Sequence, residues 1–379
     1  MSNPFYSIII PCYNQAHYLS DAVESVLSQD FKDLEIIIIN DGSKDNTAQI
    51  ANNYSDNWEN IKVIHQKNLG LSESRNAGME VALGSFFHFL DADDWVLPFF
   101  YSRAKQALLP NVNVLVTGYH HVKNSQSIQN VNFKKESFEL LDILSGNIAP
   151  PVAFIIKKSI IKNVGVFDKN LKSAEDWDLW IRIVKAGYSI HVIPDSLVAY
   201  RYVDNSMSRD AFRMYEALKT VYFRGHKHDV RINIHSDFNK YYPINEGFPI
   251  KIILLRCLGV SILQGKISDS LILFKQEKFE LKLKIKISDF SEMCSYLTFK
   301  YFSSKEDLEN VLDSARPNFK LFFRELYKDE MNVKKSMYFV FRVTKKNLNR
   351  KLYGFFLGGL INKLTDIYSI KLYNKFWRI

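Results

Sequence analysis

Phe86-Phe87-His88-Phe89-Leu90-Asp91-Ala92-Asp93-Asp94 is the stretch on which the reading of this chain turns. An apolar run with the length of a buried strand passes straight into three carboxylates. Carboxylates crowded at a strand end repel one another unless a cation lies between them. Hard oxygen ligands on a short loop suit Mg²⁺ or Mn²⁺, which in turn favours a diphosphate-bearing substrate.

The residues leading up to this stretch alternate between two periodicities. Ser7-Ile8-Ile9-Ile10 reads as a buried strand, and Tyr18 to Gln29 places Leu19, Ala22, Val23, Val26 and Leu27 at helical spacing. Glu35 to Ile39 is a second strand, Thr47 to Tyr54 a helix, Lys62-Val63-Ile64 a third strand and Ser72 to Ala82 a helix. Strands and helices in alternation, without hairpin turns, imply a mostly parallel, doubly wound α/β sheet. Ligands of such sheets bind at the carboxyl ends of the strands. Pro11 to Asn14, Asn40 to Asp45 and Asp91 to Asp94 all fall there. A dinucleotide-binding dehydrogenase shares the alternation but needs a glycine-rich first turn. Here that turn is Pro11-Cys12-Tyr13-Asn14, with no glycine.

Past residue 210 the alternation stops, and Phe, Tyr and Lys become dense. Ile250 to Leu263 and Ile267 to Phe279 read as a helical hairpin, although Phe279 to Ile287 also alternates strictly enough for a strand. Residues 331–379 carry 11 Lys and Arg against one acid, Asp366, so the formal charge of +9 resides in the tail. Three cysteines (Cys12, Cys257, Cys294) make no metal-spaced pair and suit a reducing compartment. No signal segment precedes the first strand, and no apolar run reaches the roughly 20 residues of a membrane span. A cytoplasmic protein is expected, with peripheral contact at the inner face of the cell membrane left open.

Five segments, taken together and in order, resemble the family 2 glycosyltransferases of the GT-A fold. They are Pro11-Cys12-Tyr13-Asn14; Asn40-Asp41-Gly42-Ser43 with Asp45; Asn68-Leu69-Gly70 through Arg75-Asn76-Ala77-Gly78; Asp91-Ala92-Asp93-Asp94; and Glu175-Asp176-Trp177-Asp178-Leu179-Trp180. The resemblance covers residues 5–210. It implies a nucleotide-diphospho-sugar transferase fold over residues 1–215, a mainly helical extension over 216–330 and a basic aromatic tail over 331–379.

The resemblance also implies roles. Asp41 would accept a hydrogen bond from the nucleotide base, favouring uracil, between Pro11 and Tyr13 as pocket walls. Arg75 would contact the nucleotide or the nearby carboxylates, with a fork that lysine lacks. Asp91 would lie near the sugar or ribose, Asp93 would coordinate Mn²⁺ or Mg²⁺, and Arg201 would face the diphosphate. Asp176 would be the base that takes the acceptor's proton, with Glu175 orienting the acceptor. The family commonly carries a histidine shortly after the arginine, but here Val203 stands at that place; Asp204 is the alternative ligand.

Simpler accounts stand beside these. Asp45 suits turn and helix-start duty, and Asp94 and Asp178 suit acidic helix starts. Trp177 could stack on a sugar face, and Trp180 equally well packs in the core. His120 and His121 are adjacent on a strand, so they point to opposite faces and do not easily reach one metal; contact with the acceptor is their functional alternative. The tail interleaves cations with Tyr338, Phe339, Phe341, Tyr353, Phe355, Phe356, Tyr373, Phe376 and Trp377, which suits an anionic membrane surface. A solvated helical face is the plainer reading, and nucleic acid is disfavoured for want of a recognition motif.

The expected activity is therefore an inverting transfer from a UDP-sugar to a hydroxyl of a glycan acceptor by metal-assisted single displacement. The resemblance extends that to a lipid-linked acceptor and surface-polysaccharide synthesis. A non-catalytic nucleotide-sugar binder or membrane scaffold, and a nucleotidyltransferase, are the rival classes. The first should have lost Asp176 or Asp93, and the second should carry a glycine-rich basic loop after its first strand; neither holds here.

Overall fold

A computed structural model describes residues 3–123, 126–203, 210–244, 248–295 and 305–342. Its α-carbons cluster into two compact units, Met1–Ser208 with Glu216–Ile244, and Arg209–Tyr215 with Asn245–Ile379.

The first unit opens as β1 (Tyr6–Cys12), α1 (Ala16–Leu27), β2 (Leu34–Asp41), α2 (Thr47–Asn57), β3 (Ile61–Gln66), α3 (Leu71–Val81) and β4 (Phe86–Phe89). It continues through β5 (Trp95–Val96), α4 (Phe100–Ala107), β6 (Val114–Lys123), β7 (Gln126–Val131), β8 (Ser137–Phe138), α5 (Leu140–Leu144), β9 (Phe154–Lys157), α6 (Lys158–Val164), α7 (Glu175–Lys185) and β10 (Ile190–Arg201). α8 (Ala211–Gly225) follows. The strands form one sheet ordered β3-β2-β1-β4-β9-β6-β10-β5, with β7 beside β6 and β8 beside β10.

The long ladders β3/β2/β1/β4 and β6/β10 are parallel. β9 runs antiparallel between β4 and β6, and the pairings of β5, β7 and β8 are antiparallel too. The sheet is thus mixed: most paired residues lie in the long parallel ladders, while the shorter pairings are antiparallel, and the β6–β7 hairpin is a feature the sequence alternation does not announce. Right-handed crossovers place α1 and α2 on one face and α3, which returns from β3 past β1 to β4, on the other. Ile8, Ile9, Ile10 and Ile36 to Ile39 are all fully buried, which is why these strands read as unbroken apolar runs. α3 lies so close to the sheet that a methyl at Gly78 would meet Ile9 Cγ2 at 2.4 Å.

Strand order reverses around β1, which has β2 on one side and β4 on the other. The carboxyl ends of β1, β2 and β4 therefore open on a crevice, and the three loops singled out from the sequence meet there.

The second unit is helical among its described residues. α9 (Phe248–Leu263) and α10 (Ile267–Glu280) form the expected hairpin, and the helix Lys305–Leu326 packs on both. Phe274, Phe290, Met293, Phe319, Phe322 and Phe323 are buried in its core. Residues 281–286 form no strand, so the alternation there is the start of a loop with Leu283 turned inward. Of the basic tail, residues 343–379 lie outside the described residues. No described helix is long and apolar enough to cross a membrane.

Candidate active site

Arg75 is the centre of the crevice. It projects from α3 and is only 1% exposed, so it is not a surface arginine. Nη2 donates to Asp91 Oδ1 at 2.7 Å, and Nη1 donates to Glu175 Oε1 at 2.5 Å. One guanidinium thus ties the loop after β4 to the first residue of α7, 100 positions from Arg75 in sequence. The Phe167 ring lies 5.2 Å from the guanidinium carbon. Burial alone would lower the Arg75 pKa, but Asp91 and Glu175 reverse that, and the guanidinium stays charged.

Glu175, expected to orient an acceptor, spends Oε1 on Arg75 and is almost wholly buried. Asp176 follows it into the crevice wall. Its Oδ1 accepts the N–H of Trp177 and its Oδ2 accepts Asn147 Nδ2–H, both at 2.7 Å. Burial, and then the charge of Glu175, push the Asp176 carboxyl up to about 7. Asn147 and Arg75 pull the other way. A carboxyl poised there can exchange a proton near neutrality, as a general base must. The residue before the pair, Ala174, is left-handed at φ 57°, which turns the chain sharply into α7.

The acidic loop is fastened from β10. Asp94 Oδ1 accepts the backbone N–H of Arg201 at 2.8 Å, and Arg201 Nε donates to the Asp93 carbonyl at 2.7 Å. Arg201 Nη2 reaches Asp21 at 2.5 Å, and the Tyr18 and Trp95 rings each lie 4.6 Å from its guanidinium carbon. The arginine expected at the diphosphate is engaged with the loop that carries the acids. No helix starts at Asp94; β5 and then α4 follow, so Asp94 is a brace rather than a helix-start acid. Its second oxygen is buried without a partner, and burial followed by the charges of Asp93 and Asp91 raises its pKa well above the usual carboxylate range. Burial and then Asp91 also push Asp93 up, to about 6.

Asp41 ends β2. Oδ1 accepts from Gln66 Nε2 at 2.7 Å and from the Leu69 N–H at 2.8 Å; Oδ2 accepts from the Gly70 N–H at 2.9 Å. Gly70 makes that last bond at φ 94°, where a side chain would be strained. Asp41 therefore shapes the loop into α3, and Oδ2 has lone-pair capacity left for a ligand N–H. Pro11 is buried beside Ile39 at the end of β1, while Tyr13 is 44% exposed above it. Asp45 bonds the N–H groups of Ala16 and Thr47, at the start of α1 and α2, as its helix-start reading requires.

Other expectations are changed by the packing. Trp177 and Trp180 are both buried, Trp177 with its N–H on the Ile143 carbonyl and Trp180 stacked on Phe154 at 3.9 Å. Neither presents a face to a sugar. Asp178 is more than an acid at the start of α7: it is buried and paired with Arg182 at 3.0 Å and Arg231 at 2.9 Å. His121 is buried between the Tyr119 and Tyr200 rings, while His120 meets Ser127 Oγ at 3.3 Å. Asp204 lies outside the described residues, and Val203 is half-buried. Asn147 and Asp21 are participants that no motif in the sequence marks.

A divalent ion fits the acidic loop in chemistry. Asp91 and Asp93 offer carboxylate oxygens at i and i+2, and after burial it is the charge of Asp91 that raises the Asp93 pKa, as in a cluster short of positive charge. Among the described residues no group of three His, Cys, Asp or Glu side chains converges as a complete metal cage. The chain's share of such a site is one or two carboxylates, which suits an ion that also takes diphosphate and water oxygens.

Residues 7–165 match the family model described as Glycosyl transferase family 2. The chain is 33% identical over 228 residues to the uncharacterized glycosyltransferase RT0329 of Rickettsia typhi, covering 57% of this chain and 70% of that relative. It is 28% identical over 222 residues to the uncharacterized glycosyltransferase EpsJ of Bacillus subtilis, covering 55% of this chain and 64% of that one. Among solved structures, S. aureus TarS 1-349 in complex with UDP-GlcNAc aligns over 90% of this chain and 91% of its own, with TM-score 0.52 and 21% identity. At that identity the likeness speaks to the fold. The chain belongs to the family 2 glycosyltransferases.

Proposed function

We propose that this glycosyltransferase moves a sugar from a UDP-sugar to a hydroxyl of a glycan acceptor, with inversion, in a single displacement assisted by Mn²⁺ or Mg²⁺. The observation that carries the reading is the Arg75 bridge, which brings the acidic loop and the Glu175-Asp176 pair to one crevice. Support for the donor comes from the base-pocket candidates Pro11, Tyr13 and Asp41 beside that crevice, and from the UDP-GlcNAc complex of the similarly folded TarS.

In this reading Asp176 takes the proton of the acceptor hydroxyl while the hydroxyl oxygen bonds the anomeric carbon. The bond from that carbon to the diphosphate oxygen breaks, and its electron pair leaves with the nucleoside diphosphate. Asn147 and the Trp177 N–H hold the Asp176 carboxylate in one orientation, so alignment costs little at the moment of reaction. Arg75 fixes the distance between the two acidic segments. Asp93, with Asp91 beside it, would hold the ion, which supplies charge neutralisation on the departing diphosphate. A lipid-linked acceptor and contact with an anionic membrane belong to the same proposal.

The test is release of nucleoside diphosphate from UDP-, GDP- and dTDP-sugars with Mn²⁺ or Mg²⁺ and then with EDTA, alongside donor-induced thermal shift. Turnover of one UDP-sugar that EDTA abolishes is expected. Asp176→Asn should keep the thermal shift and lose turnover; full turnover in that variant would remove Asp176 as the base. Pyrophosphate as the product would move the chain to the nucleotidyltransferases, and a thermal shift without turnover in any acceptor mixture would make it a binder.

A further inference from the structure

We propose that the outer face of α10 is a docking surface for an anionic lipid membrane. Phe279 is 84% exposed and Ile272 64% exposed. They are seven residues apart, two helical turns, and so lie on one face. Beside them Phe274, Phe279 and Leu326 line an open groove of about 600 Å³, whose remaining walls are Lys275, Lys278, Glu280 and Lys282. Lys284 and Lys286 continue the exposed cations along the loop.

The acids within this stretch do not cancel that charge. Glu277 is buried and accepts the Tyr215 hydroxyl at 2.6 Å, and the exposed Glu280 offsets only one of the five lysine charges. Among the described residues none of Lys275, Lys278, Lys282, Lys284 and Lys286 forms an ion pair. An aromatic ring and a branched aliphatic side chain standing in water cost free energy with no return inside the fold. A rim of mobile lysines around them matches a fluid sheet of phosphates, which needs no fixed geometry of its partner.

Other occupants fit less well. A second copy across a two-fold axis would set this cationic rim against itself. Single-stranded nucleic acid wants a series of stacking rings, and this face exposes one. The proposal gives the membrane contact named above a location in the helical unit, and vesicle binding tests it separately from donor turnover.

The experiment is co-sedimentation of the full chain with vesicles of phosphatidylcholine, and of phosphatidylcholine mixed with phosphatidylglycerol. Binding only to the anionic vesicles, weakening with salt, is expected. The triple change Lys275→Gln, Lys278→Gln, Lys282→Gln should weaken it about a hundredfold, at roughly fivefold per lysine. Phe279→Ser should weaken it by about tenfold. These side chains are exposed, and an unchanged circular dichroism spectrum and melting temperature check that the variants fold. The three native cysteines are buried, so a polarity-sensitive dye can be placed selectively through Phe279→Cys. Its emission should shift to the blue with anionic vesicles. Absent binding by the parent, variants that bind as the parent does, or a dye that stays in water would each overturn the proposal. So would loss of a dimer or of oligonucleotide binding, rather than of vesicle binding, in Phe279→Ser.

Discussion

Replacing Arg75 by methionine tests whether one cation holds the crevice together. Arg75→Met keeps most of the side-chain length and removes two charge-assisted hydrogen bonds, each worth about 1.5–3 kcal/mol. Removing one partner of a buried ion pair costs about 3–5 kcal/mol, because the other charge is left unmatched. Here the burden is unequal: the Asp91 side chain is 22% exposed and can rehydrate, while Glu175 at 7% cannot. Arg75 Nε is buried without a partner, so its loss costs nothing. The expected destabilisation is therefore about 3 kcal/mol, the lower end of that range. Arg75→Lys, which can serve only one carboxylate, should lose about half of it. Urea unfolding followed by tryptophan fluorescence is the assay, since Trp58, Trp95, Trp177 and Trp180 all lie in the first unit. The pH dependence adds a second reading. The Asp176 pKa is raised in the folded chain, so its contribution to stability is fullest below its ordinary value of 3.8 and is lost as pH rises to about 7. Without Arg75, which opposes that shift, the Asp176 pKa rises further. The deficit of Arg75→Met should then be larger at pH 8 than at pH 5. A loss under about 1 kcal/mol, independent of pH, would show that the carboxylates do not depend on Arg75 and would refute the bridge as the organiser of the site.

Three further outcomes are expected. Asp176→Asn should abolish turnover yet raise stability at pH 8, by an amount that shrinks as pH falls and is lost below the ordinary carboxyl value of 3.8, because it removes a buried charge; Asn147 can turn its amide to accept the new N–H, and equal melting curves at pH 8 would contradict this. Asn147→Ala should move the acid limb of kcat/KM upward by about one pH unit, while Asn147→Ser moves it less; an unmoved limb would leave Asn147 a purely structural neighbour. Ala174→Gly should stabilise the chain by about 0.5–1 kcal/mol by relieving the left-handed backbone, and lower kcat if that turn aims the Glu175-Asp176 pair; a destabilised variant would show that the conformation carries no strain.

The sheet was legible because its central strands are buried on both faces, so Ile8 to Ile10 and Ile36 to Ile39 leave an apolar run that nothing else produces. β9 was not, because a four-residue strand inserted antiparallel between β4 and β6 has no periodicity of its own. The acids of the crevice were legible as types at fixed spacings. Their partners were not, since a hydrogen bond between residues 29 apart, such as Asn147 with Asp176, leaves no local pattern. Asp178 shows the same limit in another form. A first-turn acid is fully explained by the helix dipole, and only the fold brings Arg231 to within 2.9 Å of it.

Arg201 carries the lesson further. An arginine near the end of a strand at the crevice invites assignment to the phosphate, and its charge would serve there. The fold already engages two of its nitrogens, with the Asp93 carbonyl and with Asp21, while its own N–H secures Asp94. The acidic loop is thus held by backbone and by a brace from β10. In that arrangement Val203, where the resemblance would place a histidine, leaves the bracing of the loop intact. The ion proposed for this site would then lean on Asp93 and on the donor's own diphosphate. Mn²⁺ should consequently bind weakly to the chain alone and far more tightly once a UDP-sugar is present. Titration of Mn²⁺ by electron paramagnetic resonance, with and without the donor, checks this; equal affinity in both states would mean that the chain supplies a full ligand set of its own.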